Sequence, residues 1–261
     1  MIFNSFTKLS ILYELCIIEE EEAMRVAINI DHIATLRNAR GGNDPDPVRG
    51  ALLCEKAGAV GIVCHLREDR RHIKDDDVQR LRSALKKKLD LEMAATEEII
   101  GIAITTKPDL VTLVPEKRLE LTTEGGLDVV DQKKYLGAVV KQFKQKNIPV
   151  SLFIDPTEAQ VRASADIGTE MIEIHTGEYA DATTESDRRE QFQRIQEAAR
   201  YGKSLNLGVN AGHGIDYENV AAIATIREID EVSIGHAIIV RALFVGIEQA
   251  VREMIQLVDG K

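Results

Sequence analysis

Residues 61–93 read GIVCHLREDRRHIKDDDVQRLRSALKKKLDLEM. The stretch opens on an apolar run, Gly61 to His65, and closes on another, Leu89 to Met93. Between them, Asp75 to Leu89 reads as an amphipathic helix. Asp75, Asp76 and Asp77 open it, Lys86, Lys87 and Lys88 close it, and Val78, Leu81 and Leu85 form its buried stripe. Acidic residues at the start and basic ones at the end oppose the helix macrodipole. A strand, a helix and a second strand in about 30 residues make one βα unit of a parallel sheet.

The same alternation continues in both directions. Further apolar runs lie at Val26 to Ile30, Leu110 to Val114, Val150 to Ile154, Met171 to His175, Leu205 to Val209 and Glu231 to Ile234. They are too continuous for half-exposed antiparallel strands. Eight runs spaced by about 29 residues predict a (β/α)8 barrel, a TIM barrel with outer helices. A doubly wound open sheet is the second reading, and the chain lacks the glycine-rich dinucleotide turn that would support it. Helix punctuation agrees with the barrel: Asp46-Pro47 offers an N-cap and a first-turn proline, Val48, Ala51, Leu52 and Glu55 follow at helical spacing, and Gly58 sits where a left-handed cap belongs.

The composition bounds the function. The 261 residues are 44% hydrophobic and 29% charged, with no tryptophan. A formal charge of −10 argues against a nucleic-acid partner. Cys16, Cys54 and Cys64 are an odd number without metal-type spacing, so no disulfide framework and no zinc site are expected, and a cytoplasmic location fits best. In residues 1–23, the apolar stretch Leu9 to Ile18 is interrupted by Glu14 and is too short to span a bilayer, so no membrane partner is expected. Glu19 to Glu22 and Ala23 then precede Met24, which leads directly into an apolar strand. The expectation is a misassigned start, with residues 1–23 an extension and 24–261 a single barrel domain.

In a barrel the loops after the strands build the site, so polar residues there carry a functional prior. Those ends hold Asn29, Asp31 and His32; His65 and Arg67; Glu92; Glu116 and Lys117; Asp155; Glu173 and His175; Asn210, His213 and Gly214; and Gly235 and His236. Five of the six histidines fall there, and His72 lies in the loop after the second strand. Glu92 and Glu173 would point into the mouth, where burial raises a carboxyl toward neutrality, and His65 and His213 add imidazoles. Several acid and base groups around one pocket suit carbonyl condensation and dehydration. Arg40, Arg67, His72 and the backbone amides near Gly214 and Gly235-His236 form two candidate anion-binding sets, as two phosphates would require. Signatures of zincins, redox dithiols, P-loops and serine hydrolases are absent. A metal-dependent phosphosugar epimerase or aldolase is the alternative function, since histidines and carboxylates can bind a divalent ion. Lys117 is the only lysine at a strand end that could form a Schiff base, and its neighbourhood reads as a solvated loop.

These residues fall in longer blocks. Asn29-Ile-Asp-His-Ile-Ala-Thr-Leu-Arg-Asn-Ala-Arg40, His65-Leu-Arg-Glu-Asp-Arg-Arg-His72, Leu91-Glu-Met93, Val114-Pro-Glu-Lys-Arg118 and Thr122-Thr-Glu-Gly-Gly126 resemble the pyridoxine 5′-phosphate synthase family. So do Ser151-Leu-Phe-Ile-Asp155, Ile172-Glu-Ile-His-Thr-Gly177, Asn210-Ala-Gly-His-Gly214 and Ile234-Gly-His-Ala-Ile238. The resemblance spans Met24 almost to the C-terminus. It implies condensation of 3-amino-2-oxopropyl phosphate with 1-deoxy-D-xylulose 5-phosphate, giving pyridoxine 5′-phosphate, phosphate and water without metal or organic cofactor, in a homo-oligomer, an octamer. By the resemblance, Asn29, Arg40, Gly214, Gly235 and His236 hold the amino substrate, and Asp31, His32, Arg67, His72 and Thr122 hold the other. His65 and Glu92 correspond to proton acceptors, His213 to the proton donor and Glu173 to a transition-state stabiliser. His175 is left without a role.

Overall fold

The computed structural model describes residues 24–116 and 125–260. Strand β1 (Arg25–Asn29) leads into α1 (Asp31–Arg40) and α2 (Pro47–Ala57), β2 (Gly61–His65) into α3 (Asp75–Ala84), and β3 (Lys88–Met93) into α4 (Glu97–Thr106). Strand β4 (Leu110–Leu113) precedes α5 (Val129–Lys144), and β5 (Val150–Ile154) precedes α6 (Glu158–Asp166). Then come β6 (Met171–His175), α7 (Gly177–Ala180), α8 (Glu185–Ser204), β7 (Gly208–Gly212) and α9 (Val220–Ile223). Finally β8 (Glu231–Ile234) is followed by α10 (His236–Val245) and α11 (Ile247–Val258). All neighbouring strands pair in parallel, and β8 closes on β1. The expected (β/α)8 barrel is the observed fold.

Strand residues divide by parity. Ile28, Ile62, Leu89, Leu91, Leu152, Ile172, Ile174 and Val232 join the helices in one continuous apolar core. Alternate positions belong to the barrel interior, and many are polar: Asp90, Thr112, Ser151, Glu173 and Asn210 are all buried. The interior of a barrel is ordinarily filled by branched aliphatic side chains. Here the runs that read as continuous apolar strands alternate, because one face packs on helices and the other lines a polar interior.

Helix α2 forms as its punctuation predicts. The Asp46 side chain accepts the Val48 N–H at 3.1 Å, and Gly58 caps the helix at φ +115 with its N–H on the Cys54 and Glu55 carbonyls. Helix α3 is shorter than expected. It stops at Ala84, because Glu55 Oε1 accepts the backbone N–H groups of Lys86 and Lys87 and draws the chain into an extended path. Lys88 is then a strand residue paired with Glu231, and its charge answers a carboxylate rather than the dipole. Strand β7 also differs from expectation. Leu205 caps α8 and Asn206 turns left-handed at φ +61, so the strand begins at Gly208 and places Asn210 within it.

Helices α1, α7 and α10 start immediately after β1, β6 and β8, at the mouth. Cys54 and Cys64 are buried free thiols, and Cys16 lies outside the described residues. Residues 1–23, the expected extension, lie outside them too. Among the described residues, no helix is long and apolar enough to cross a membrane.

Candidate active site

Parallel register fixes which polar side chains meet. His65 at the end of β2 pairs with Glu92 of β3, and their side chains approach to 3.9 Å, His65 Nδ1 to Glu92 Oε2. Asp31, the first residue of α1, accepts the His65 backbone N–H at 2.9 Å. Asn29 grips Asp31 from both sides: Asn29 Nδ2 donates to Asp31 Oδ2 at 3.0 Å, and Asn29 Oδ1 accepts the Asp31 N–H at 2.9 Å. Asn29 also reaches Glu92 Oε2 at 3.5 Å. Gly235 lets β8 close on this group, since a Cβ there would lie 3.0 Å from that of Asn29.

The loop after β2 is pinned from beneath. Arg37 pairs with Asp77 at 2.6 Å in a buried bridge and donates to the His72 carbonyl, as does Asn38. His72 Nδ1 accepts the Ile73 N–H at 2.9 Å, so in the neutral ring the proton sits on Nε2, ready to donate. His72 and His65 lie with ring centroids 5.9 Å apart. Arg67 is buried in the same loop.

Across the mouth, Glu173 of β6 is 3% exposed. A Cβ on Gly212 would fall 2.1 Å from its Oε1, so β7 carries glycine where that carboxyl lies. His213 follows in the left-handed region at φ +77, with Gly214 also at +77. That conformation costs a non-glycine residue energy. Thr176 holds it, its hydroxyl donating to the His213 carbonyl at 2.6 Å and to that of Gly212 at 2.9 Å. Further round, the rings of His32 and His236 meet edge to face at 5.0 Å. Helix α10 opens behind Gly235 with no side-chain cap, leaving backbone N–H groups for an anion.

Burial and like charges set the proton affinities. Burial, and then the neighbouring Asp90 and Glu231 carboxylates, push Glu173 up to about 8. Burial followed by Glu173 and Asp31 drives Glu92 well above the ordinary range. Burial lowers His213, with His175 beside it adding to the effect. Burial lowers His72 as well, and burial together with His236 lowers His32.

Most of the described candidate residues lie at this mouth; Glu116, a strand-end residue with no assigned role, joins them, and Arg40 does not. Glu116, just past β4, places Oε1 2.7 Å from His65 Nε2, and its Oε2 accepts the Glu68 N–H. Burial alone would raise Glu116, yet the hydrogen bond and charge of His65 hold it below the ordinary value. Arg40 stands apart, exposed at the far end of α1, about 14 Å of helix from Asp31 at 1.5 Å per residue. Thr122, with Lys117, lies outside the described residues. Asp31, His65 and Glu92 also bring three donor atoms within 4.8 Å of one another, a spacing that suits a cation, although their hydrogen bonds already tie them together.

A sequence profile described as "Pyridoxal phosphate biosynthesis protein PdxJ" matches residues 26–260. The chain belongs to this family. It is 57% identical over 235 residues to the pyridoxine 5′-phosphate synthase of Chlorobium chlorochromatii (strain CaD3), a match covering 90% of this chain and all of the relative. It is 54% identical to the enzyme of that name from Syntrophobacter fumaroxidans (strain DSM 10017 / MPOB), covering 90% of this chain and 99% of the relative. Among solved structures, phosphoribosyl anthranilate isomerase from Thermus thermophilus superposes with a TM-score of 0.57 at 16% identity, covering 91% of this chain and 99% of that one. A 4-hydroxy-2-oxoglutarate aldolase reaches 0.60 at 14%, covering 91% and 96%. At such identities the likeness is one of fold.

Proposed function

We propose that this chain is a pyridoxine 5′-phosphate synthase, condensing 3-amino-2-oxopropyl phosphate with 1-deoxy-D-xylulose 5-phosphate to pyridoxine 5′-phosphate, phosphate and water. The observation that carries the reading is the ring of proton carriers at one mouth. Glu92 and Glu173 favour the protonated form, His65 sits between two carboxylates, and His213 is disposed to release a proton. The amine of one substrate attacks the ketone of the other, water leaves through the imine, phosphate is eliminated, and an aldol-type closure with a second dehydration makes the ring. Each step moves a proton at carbon or oxygen, so groups of differing affinity around one cavity serve it in turn.

In this reading His65 and Glu92 accept protons, His213 donates and Glu173 stabilises the transition state. Asn29, Gly214, Gly235 and His236 hold the amino-oxopropyl phosphate, with Arg40 joining them on binding. Asp31, His32, Arg67, His72 and Thr122 hold the deoxyxylulose phosphate. No metal or organic cofactor takes part, and the protein works as a homo-oligomer in the cytoplasm. Leu243 and Phe244, 65% and 82% exposed on α10, give a second copy apolar surface to cover. Light scattering reads the assembly, with an octamer expected.

The test is incubation with both phosphates under exhaustive chelation. Appearance of a pyridoxine-type absorbance together with released phosphate is expected. Activity abolished by chelation and restored by a divalent ion would instead favour the metal-dependent epimerase or aldolase chemistry that Asp31, His65 and Glu92 could serve.

A further inference from the structure

His175 closes β6, is 6% exposed, and has no task in the chemistry above. Its Nδ1 lies 3.2 Å from Asp155 Oδ1, just past the end of β5. The same oxygen accepts the Gly126 N–H at 2.8 Å, which fixes the carboxylate in place. With Nδ1–H donating to Asp155, the neutral ring carries its lone pair on Nε2. That atom is buried and, among the described residues, has no hydrogen-bond partner. A buried acceptor without a donor is costly, so it marks a place where a proton or a polar group is meant to arrive.

A Cβ on Gly177 would come within 2.5 Å of His175 Nε2 and within 3.2 Å of His213 Cδ2, so only a bare glycine lets the two rings converge there. Their centroids are 5.1 Å apart. Phe153 stands edge to face against both, at 5.1 and 6.4 Å, and covers the pair with hydrocarbon. The carboxylate at the other end is 44% exposed and so meets solvent.

We propose that the Asp155–His175 pair is the proton reservoir of His213, returning a proton where the two rings converge over Gly177 each time His213 has given one to the reacting substrates. The inference rests on the reading of His213 as the proton donor. The balance closes: His213 loses a ring proton to a leaving oxygen, and His175 passes its Nε2 proton to His213. His175 keeps Nδ1–H on Asp155 throughout; its Nε2 first gains the proton it hands on from water entering at the mouth, and the Asp155 carboxylate balances the charge of the ring meanwhile. His175 touches no substrate and acts through His213, as a positioning residue.

The experiment assays the full chain and its His175→Ala, His175→Gln and Asp155→Asn variants with the two phosphate substrates, with and without added imidazole, while thermal melting follows folding. His175→Ala is expected to lose about 10- to 100-fold in kcat with KM within about twofold, the scale of a lost proton-transfer group. Imidazole entering the vacated space restores most of that loss. It does nothing for His175→Gln, whose side chain fills the space. Asp155→Asn, which keeps an oxygen for Gly126, loses about tenfold. Wild-type turnover in His175→Gln, or a loss in folded His175→Ala that imidazole leaves unchanged, overturns the relay. If His175→Ala does not fold, His175→Gln and Asp155→Asn decide it alone, wild-type rates in both overturning the idea. A wild-type chain that makes no product from the two phosphates instead removes the reading on which the relay rests.

Discussion

The two arcs of the mouth use the same side chain in opposite surroundings. Over β1 to β4, the His65 ring is set between Glu92 and Glu116, while Asp31 holds its backbone. Over β5 to β7, His213 lies against His175 and Phe153, and its backbone is held in a left-handed turn. Carboxylates on both sides fix the orientation of the His65 ring. Burial beside a second imidazole favours the neutral His213 ring and so the release of its proton. In the proposed chemistry the same residue type serves as acceptor on one arc and donor on the other, and the neighbours are what distinguish the two.

The comparison can be broken most severely at Glu92. Glu92→Gln is expected to bind both substrates but lose roughly 100-fold or more in turnover, the scale of a lost general acid or base. Calorimetric binding beside a product assay checks it, and near-wild-type turnover removes Glu92 from the acceptor arc. The next largest effect is at Glu116, which holds Nε2 of His65 and leaves Nδ1 toward Glu92. Glu116→Ala should cost about tenfold in kcat with little change in KM, since it frees ring orientation and tautomer rather than substrate contacts. Nitrogen NMR of the ring should show Nε2–H in the parent chain and a mixture in the variant; an unchanged spectrum and rate would make Glu116 a bystander.

The mildest test is on stability. Glu173 keeps its proton in the folded chain up to about pH 8, against 4.5 for an ordinary glutamate. Its contribution to stability is therefore full below about pH 4.5 and is lost as pH rises toward 8. Melting temperature should fall across that interval, and Glu173→Gln should flatten the slope. Equal slopes in parent and variant would mean that the interior carboxyl does not distinguish the folded from the unfolded state.

Much of this was legible in the chain. The runs Gly61 to His65, Val150 to Ile154, Met171 to His175 and Glu231 to Ile234 are strands at the boundaries their patterning predicts. Asp46 and Gly58 cap α2 as their types require. The failures have a common cause. Strand β7 was displaced because glycines weaken a strand signal, and Gly212 is glycine to admit Glu173 from the neighbouring strand. Helix α3 ends early because Glu55, about thirty positions away, takes its next backbone donors. Glu116 was one strand-end polar residue among many, without a role, and the residue that gives it meaning, His65, is 51 positions distant.

The sequence by itself determined the eight-fold alternation, the caps, and the gathering of histidines and carboxylates at the strand ends, because periodicity and capping depend on residues a few positions apart. Only the tertiary structure decided that His65 lies between two carboxylates, that Glu173 keeps a proton near neutrality, and that His175 meets His213 over Gly177. Those properties depend on distance and on the exclusion of water between strands far apart in the chain, and no local pattern encodes either.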